Sequence, residues 1–126
     1  MISPKSTVNH LLKNWGHNVL LQRLIDDKSM TYSARLQRYT VRAYWPGSVG
    51  FTNLMQEKIQ GITVSSEVLY YFEHSVNPKS GDRIYEDLPT GQEIFLIDFA
   101  APNRGRNGKI DFWTVGATRE NKKHNA

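Results

Sequence analysis

The sequence has no cysteine, so it contains neither a disulfide framework nor a thiolate metal site. It also has no run approaching the roughly 20 apolar residues that a membrane-spanning helix requires. The N-terminal stretch MISPKSTVNHLLKNWG lacks the continuous apolar core and the small-residue cleavage site of a signal peptide. We therefore expect a protein that is synthesised in the cytoplasm and has no membrane segment.

Patterns that bind nucleotides or support catalysis are absent as well. There is no Walker A motif and no dinucleotide-binding glycine fingerprint, and Ser65-Ser66 lacks the surroundings of a nucleophile elbow. No two of the four histidines stand at a zinc-ligand spacing. The acidic pairs Asp26-Asp27 and Glu86-Asp87 fall in predicted turns, where aspartate bonds its own backbone. These features predict a protein that is not an enzyme and has no catalytic residues, cofactor or metal.

The composition is that of an ordinary globular domain. The chain has 126 residues, of which 22% are charged and 39% hydrophobic, and this length suffices for one domain with its own core. The formal net charge is +4, and Lys122 and Lys123 near a polar end contribute to it. A modest positive charge suits nucleic-acid binding, but inert domains often carry it too.

The rest of the chain is organised around a predicted hairpin that runs from Gln92 to Arg119. Two apolar β-rich runs flank a tip in which Gly105 and Asn107-Gly108 tolerate the positive φ of tight connections. The apolar side chains alternate between the two sides of each run: Phe95, Ile97 and Phe99 against Ile94 and Leu96, then Ile110 and Phe112 against Trp113 and Val115. Strands that are apolar on both sides are covered on both sides, so the hairpin is predicted at the centre of a small β-barrel or sandwich.

The residues before the hairpin predict one helix and four strands. A helix that begins near Ser3-Pro4 and stops at Gly16 follows from the amphipathic spacing of Val8, Leu11, Leu12 and Trp15. Alternating segments predict strands at 17–25, 35–45 and 63–74 and a short strand at 83–85. With the hairpin, this gives an all-β fold: an antiparallel barrel of about six strands. We expect a single domain over residues 1–126, with a helical arm at 1–16 and a flexible tail at 120–126.

A long segment without strand alternation, residues 46–61, separates the second and third predicted strands. Such a segment inside a compact domain is usually functional or mobile. Its apolar residues Phe51, Leu54 and Met55 either cover one end of the barrel or meet other subunits.

Some features suit nucleic-acid binding. Arg104, Arg106 and Lys109 cluster at the hairpin tip. Aromatic side chains that can stack on bases in an oligonucleotide-binding barrel are Tyr39, Tyr44, Trp45, Tyr70 and Tyr71. The same aromatics also suit the core and surface of a sheet, where they are common.

The order of several short motifs resembles a known family. Gln22-Arg23 lies on the first strand, the second strand ends at Trp45, and the insertion 46–61 follows. Three further motifs come in order: Ser80-Gly81-Asp82-Arg83-Ile84, Gly91-Gln92-Glu93-Ile94-Phe95 and Val115-Gly116-Ala117-Thr118-Arg119-Glu120. From Val19 to Glu120 this order resembles the small head-tail joining proteins of long-tailed bacteriophages, which are called head completion, connector or stopper proteins.

The resemblance implies a structural virion protein of the phage neck. Such proteins form a six- or twelve-fold ring between the portal or adaptor protein of the head and the terminator or tube proteins of the tail. The ring surrounds the exit channel of the packaged double-stranded DNA. The insertion is expected to project toward this channel and help to retain DNA, with the nearest residues at Val49, Gly50, Phe51, Asn53, Leu54 and Met55. Candidate contacts with neighbouring subunits or partners are Trp15, Tyr39, Tyr44, Trp45, Arg104 and Arg106.

Two alternatives stay open. The nearer alternative is a neighbouring component of the same assembly, an adaptor or a tail terminator protein, since these also combine short strands with long loops. From a different class, the alternative is a barrel resembling the oligonucleotide-binding fold that binds single-stranded nucleic acid.

Overall fold

The computed structural model describes residues 4–45 and 66–120. The elements in these ranges are α1 (Pro4–Trp15), β1 (His17–Asp26), β2 (Thr31–Tyr44), β3 (Val68–Glu73), β4 (Arg83–Leu88), β5 (Gly91–Arg104) and β6 (Ile110–Arg119). The predicted insertion at 46–61 lies outside the described residues, and so does the predicted tail beyond Glu120. The six predicted channel residues are therefore outside them too: Val49, Gly50, Phe51, Asn53, Leu54 and Met55.

The strands close into a barrel in the order β1-β2-β3-β6-β5-β4, and β4 pairs back onto β1. Every neighbouring pair is antiparallel. The hairpin β5–β6 forms one wall and pairs from Phe95 opposite Arg119 to Arg104 opposite Ile110. The predicted all-β barrel with a short N-terminal helix is confirmed.

The interior of the barrel is filled by alternate residues of each strand, because successive side chains point to opposite faces. In β2 the inward residues are Val41 and Ala43, and in β3 they are Val68, Tyr70 and Phe72. The other strands and one turn complete this interior cluster with Val19, Leu21, Val76, Ile84, Phe95, Ile97, Trp113, Val115 and Ala117. In β3 the opposite side is apolar too, with Leu69 and Tyr71, so alternation alone does not decide which side faces the interior.

Helix α1 packs against the outside of the barrel. Its buried residues Val8 and Leu12 contact Phe112 of β6, and Tyr71 of β3 packs against the same group. Burial of two aliphatic side chains of this size stabilises the docked helix by about 3–5 kcal/mol. A Cβ at Gly16 would lie 2.4 Å from the carbonyl oxygen of Leu12, so only glycine lets the chain pass directly from α1 into β1.

Two register shifts in the hairpin move Phe99 and Ile110 to the opposite side of their strands from the one predicted. A bulge between Ile97 and Phe99 turns Phe99 to the outside, where its ring covers Gly116. A second shift between Asn103 and Arg104 accompanies Ile110, which packs against the interior cluster instead of sharing the side of Phe112. A pattern of alternating residues contains no signal for the extra residue that a bulge inserts.

The strand boundaries also differ from the predictions in one consequential place. β4 runs from Arg83 to Leu88, so Glu86 and Asp87 lie in a strand and not in a turn. Glu86 shares the inner side with Ile84 and is 1% exposed. The barrel interior therefore contains a carboxylate that the sequence analysis had assigned to a turn.

Candidate partner-binding surfaces

The predicted contact residues lie in three different places. Trp15, at the end of α1, was predicted on the apolar stripe with Leu12, but it is 67% exposed. Tyr39 and Trp45 face inward and pack against the interior cluster, where the Trp45 ring meets Phe95 edge to face at 5.8 Å. Their burial gives these two residues a role in the barrel itself, and their predicted role in partner contacts stays a prediction.

Tyr44 belongs to a row of aromatic rings on the outside of the barrel. Its ring meets Tyr71 at 5.3 Å, and Tyr71 in turn meets Phe112 at 4.9 Å, both in edge-to-face geometry. Helix α1 covers the Phe112 end of this row. Tyr44 at the other end is half-buried and carries the Arg42 guanidinium 4.9 Å from its ring centre.

The aromatic residues that were considered for base stacking lie on both sides of the barrel wall: Tyr39, Trp45 and Tyr70 face the interior, and Tyr44 and Tyr71 face outward. Tyr70 is fully buried in the barrel interior, so its assignment as a stacking residue is wrong. Tyr71 lies between Tyr44 and Phe112 beside the docked helix. A stacking surface needs several open ring faces along one groove, whereas in this row the Arg42 guanidinium lies over Tyr44 and other rings flank Tyr71.

The hairpin tip is basic and internally braced. The Arg104 guanidinium donates a hydrogen bond of 2.8 Å to the carbonyl of Gly108, and the Lys109 amide donates one of 3.0 Å to the Asn107 side chain. Arg106 is exposed and forms no ion pair with any residue in the described ranges. An open cleft of about 590 Å³ lies beside the tip and is bordered by His74, Arg104, Asn107, Gly108, Lys109, Ile110 and Asp111.

The Gly-Asp-Arg turn before β4 anchors strand β1. The buried Asp82 accepts hydrogen bonds from the amides of Leu24 at 2.8 Å and Lys79 at 3.1 Å. It also pairs with the Arg23 guanidinium at 3.2 Å, and Arg23 donates further hydrogen bonds to the carbonyls of Val76 and Asn77. The motif residues Arg23 and Asp82 therefore act together to hold a turn against a strand.

The next residue of the motif, Arg83, joins two distant parts of the chain. Its guanidinium lies 3.8 Å from the centre of the Tyr32 ring and donates a hydrogen bond of 2.6 Å to Glu120. Burial alone would lower the pKa of Arg83, but the hydrogen bond and charge of Glu120 outweigh it and leave this pKa raised. Arg83 thus remains a cation that ties the end of β6 to β2.

The polar group inside the barrel was missed by the sequence reasoning. Glu86 accepts a hydrogen bond of 2.6 Å from the Tyr70 hydroxyl, and its other oxygen lies 2.5 Å from Nε2 of His17. Burial, followed by the charge and hydrogen bond of Glu86, raises the pKa of Tyr70 well above its usual value. The available signal was the spacing of Glu86 two residues after the apolar Ile84, which places both on one side of a strand.

Neither a metal site nor a membrane-spanning helix is present in the described ranges. Residues 4–45 and 66–120 contain no group of three or more histidine, aspartate or glutamate side chains that suits a metal ion. In the same ranges, no helix has the length and apolar character needed to cross a bilayer.

Comparisons with known proteins add no relative. No protein-family model, no curated protein and no solved structure matches the chain. The function is therefore inferred from the motif order, the barrel and its surfaces.

Proposed function

We propose that this chain is a structural protein of a bacteriophage neck. Its copies form a ring that joins the DNA-filled head to the tail and helps to close the DNA exit channel. The protein would then act by binding neighbouring subunits and partner proteins, and it would need no catalytic group. The support comes from the barrel, the connection between β2 and β3, and the exposed residues on separate elements.

The observation that carries the proposal is the position of the connection between β2 and β3. Tyr44 pairs with Leu69, so the two strands are direct antiparallel neighbours. Neighbours of this kind are commonly joined by about two to five residues. The chain instead has residues 45–68 between the paired positions. A connection of this length between adjacent strands agrees with the insertion that the resemblance expects at this point of the chain.

Ring building requires two different patches on one subunit that meet head to tail around an axis. Trp15 is an exposed aromatic residue of α1, and Arg104 and Arg106 are exposed cations of the β5–β6 tip. Tryptophan and arginine are the residue types that most often carry binding energy at interfaces. Their separation on two elements supports a head-to-tail interface in which each patch meets a different neighbour.

Assembly can be tested with purified protein and DNA-filled heads that lack tails. Negative-stain images and sedimentation should reveal a ring at the portal vertex, and Trp15→Ala should reduce ring occupancy at least tenfold. Ile25→Ala is a matched control, because Ile25 has the same 67% exposure on a different element. Absence of binding to heads by the native protein, or unchanged assembly of Trp15→Ala, would count against the proposal.

The role of the insertion requires a second experiment. Deletion of residues 48–58 should leave a folded barrel that still binds heads, but these heads should lose their DNA during storage. A variant with the same segment replaced by an equal length of glycine and serine separates the effect of length from that of side chains. Full retention of DNA by the deletion variant would refute a channel role for Val49, Gly50, Phe51, Asn53, Leu54 and Met55.

The same materials distinguish the alternatives. A stopper or adaptor should bind heads, whereas a tail terminator should bind isolated tails. A barrel that binds single-stranded nucleic acid should bind a free oligonucleotide with micromolar or tighter affinity that falls steeply with salt. The burial of Tyr70 removes one of the side chains that this last reading requires.

A further inference from the structure

Strand β2 has one backbone edge that is only partly paired. Along one edge it pairs with β1 from Thr31 to Val41, but along the other it pairs with β3 only at Arg42, Ala43 and Tyr44. Within residues 4–45 and 66–120, no backbone hydrogen bond joins this second edge between Leu36 and Thr40 to another segment. We call this stretch the free β2 edge.

The free β2 edge is regular and accessible. Its register against β1 runs without interruption from Gln22 opposite Leu36 to Asn18 opposite Thr40. Five residues in this conformation present about 16 Å of ladder. Leu36 is 39% exposed, and Gln37, Arg38 and Thr40 are exposed as well. An open strand edge with these properties is a template for the addition of another strand.

The charges on β2 decide which kind of strand fits. β2 contains Arg35, Arg38 and Arg42 and no acidic residue. Neither Arg35 nor Arg38 forms an ion pair with a residue in the described ranges. Asp87 lines the same cleft as Arg38, and no ion pair joins the two side chains. Arg38 within the free β2 edge and Arg35 directly before it can therefore pair with acidic side chains of an incoming strand.

A second copy of this edge is a poor occupant. Antiparallel pairing of two β2 edges would bring arginines opposite or diagonal to one another, and like charges at these positions are destabilising. Arginine on an open edge is also a common device against self-association. An extended segment with acidic side chains has the opposite charge and gains cross-strand ion pairs at the same positions.

We propose that the free β2 edge binds an extended acidic segment of a partner protein as an additional antiparallel or parallel strand. Leu36 and Arg38 lie on the same face because they are two residues apart. The segment should therefore carry an apolar and an acidic residue at alternate positions of one face. This binding mode is independent of the proposed neck function, since it follows from pairing and charge alone.

A synthetic peptide tests the proposal with the full-length protein. The probe is a capped octapeptide, TLTETLTE, in which leucine and glutamate alternate on one face. We expect hydrogen exchange to slow at alternate amides between Leu36 and Thr40 when the peptide binds. Arg38→Glu should weaken its binding about tenfold, since like charges then face each other. A peptide with lysine in place of glutamate should bind the Arg38→Glu variant with the affinity that was lost.

Two controls separate strand addition from general attraction. Lys13→Glu makes the same charge change at an exposed position of α1 and should leave peptide affinity unchanged. N-methylation of one set of alternate peptide amides should abolish binding, whereas methylation of the other set should not. Equal effects of both methylated peptides would overturn the proposal. Amides at the free β2 edge that are already protected without peptide, or dimerisation through this edge, would overturn it too.

Discussion

The Asp82 carboxylate offers a direct test of how the barrel is held together, through the substitution Asp82→Ala. Asp82 is 2% exposed and bonds two backbone amides and one guanidinium. Loss of the two amide bonds should cost about 2 kcal/mol. The pair with Arg23 adds about 1 kcal/mol, because Arg23 is 32% exposed and its charge is partly screened. The free energy of unfolding should therefore fall by about 3 kcal/mol, a large part of the total for a small domain.

The assay is urea unfolding followed by tryptophan fluorescence and circular dichroism. Asp82→Asn should lose less stability than Asp82→Ala, because its amide oxygen can still accept the hydrogen bond of the Leu24 amide. It should still lose some stability, because its NH₂ group cannot accept the hydrogen bond of the Lys79 amide. Asp27→Ala, at an exposed position, is the matched control and should change stability by less than about 0.5 kcal/mol. A loss below about 1 kcal/mol for Asp82→Ala would refute the assignment of this turn as an anchor.

Three further predictions concern the interior and the packing of the helix. The raised pKa of Tyr70 means that the folded state favours the protonated phenol. The free energy of unfolding should therefore be constant with respect to this group below pH 10.0, the ordinary tyrosine pKa of the unfolded chain, and should fall as the pH rises above it. Tyr70→Phe should flatten this alkaline loss in pH-dependent unfolding curves. Gly116→Ala should destabilise the barrel by about 1–3 kcal/mol, because the new Cβ would lie 2.1 Å from the Phe99 ring. Leu12→Ala should cost about 2–4 kcal/mol by thermal unfolding and expose the α1 docking site to hydrogen exchange.

Each of these predictions has a contrary outcome. If Tyr70→Phe loses stability at alkaline pH to the same extent as the native protein, other groups cause that loss. Truncation of Phe99 to leucine should recover part of the Gly116→Ala loss, and the absence of any recovery would place the strain elsewhere. If Leu12→Ala unfolds the whole barrel in one step without separate exchange of α1, the helix is part of the main folding unit and not an added layer.

The fold was predictable where local chemistry and tertiary packing agree. Gly16 ends α1 as predicted, and the strands of the predicted antiparallel barrel form from the alternating apolar segments. The sidedness of Phe99 was not predictable, because a bulge changes the period of two without changing the composition of the strand. Trp15 matched the helical stripe, yet the barrel wall leaves it exposed.

For the candidate surfaces, the exposed cations of the hairpin tip were predicted correctly, whereas the positions of several aromatic residues were not. The cations of the tip, Arg104 and Arg106, are exposed as a hairpin tip suggests. Tyr39, Trp45 and Tyr70 were predicted as contact or stacking residues, but all three face the interior of the barrel. Aromatic residues are common both in cores and at interfaces, so their identity alone does not separate the two environments.

The amino-acid order by itself determined the number and kind of elements, since hydrophobic periodicity, glycine and turn residues act over a few neighbouring positions. Only the tertiary structure decided that Glu86 meets Tyr70 and His17, that Asp82 holds β1, and that β2 keeps an open edge. Each of these features joins segments far apart in the chain. They depend on strand register and barrel closure, which the pattern within a single segment does not contain.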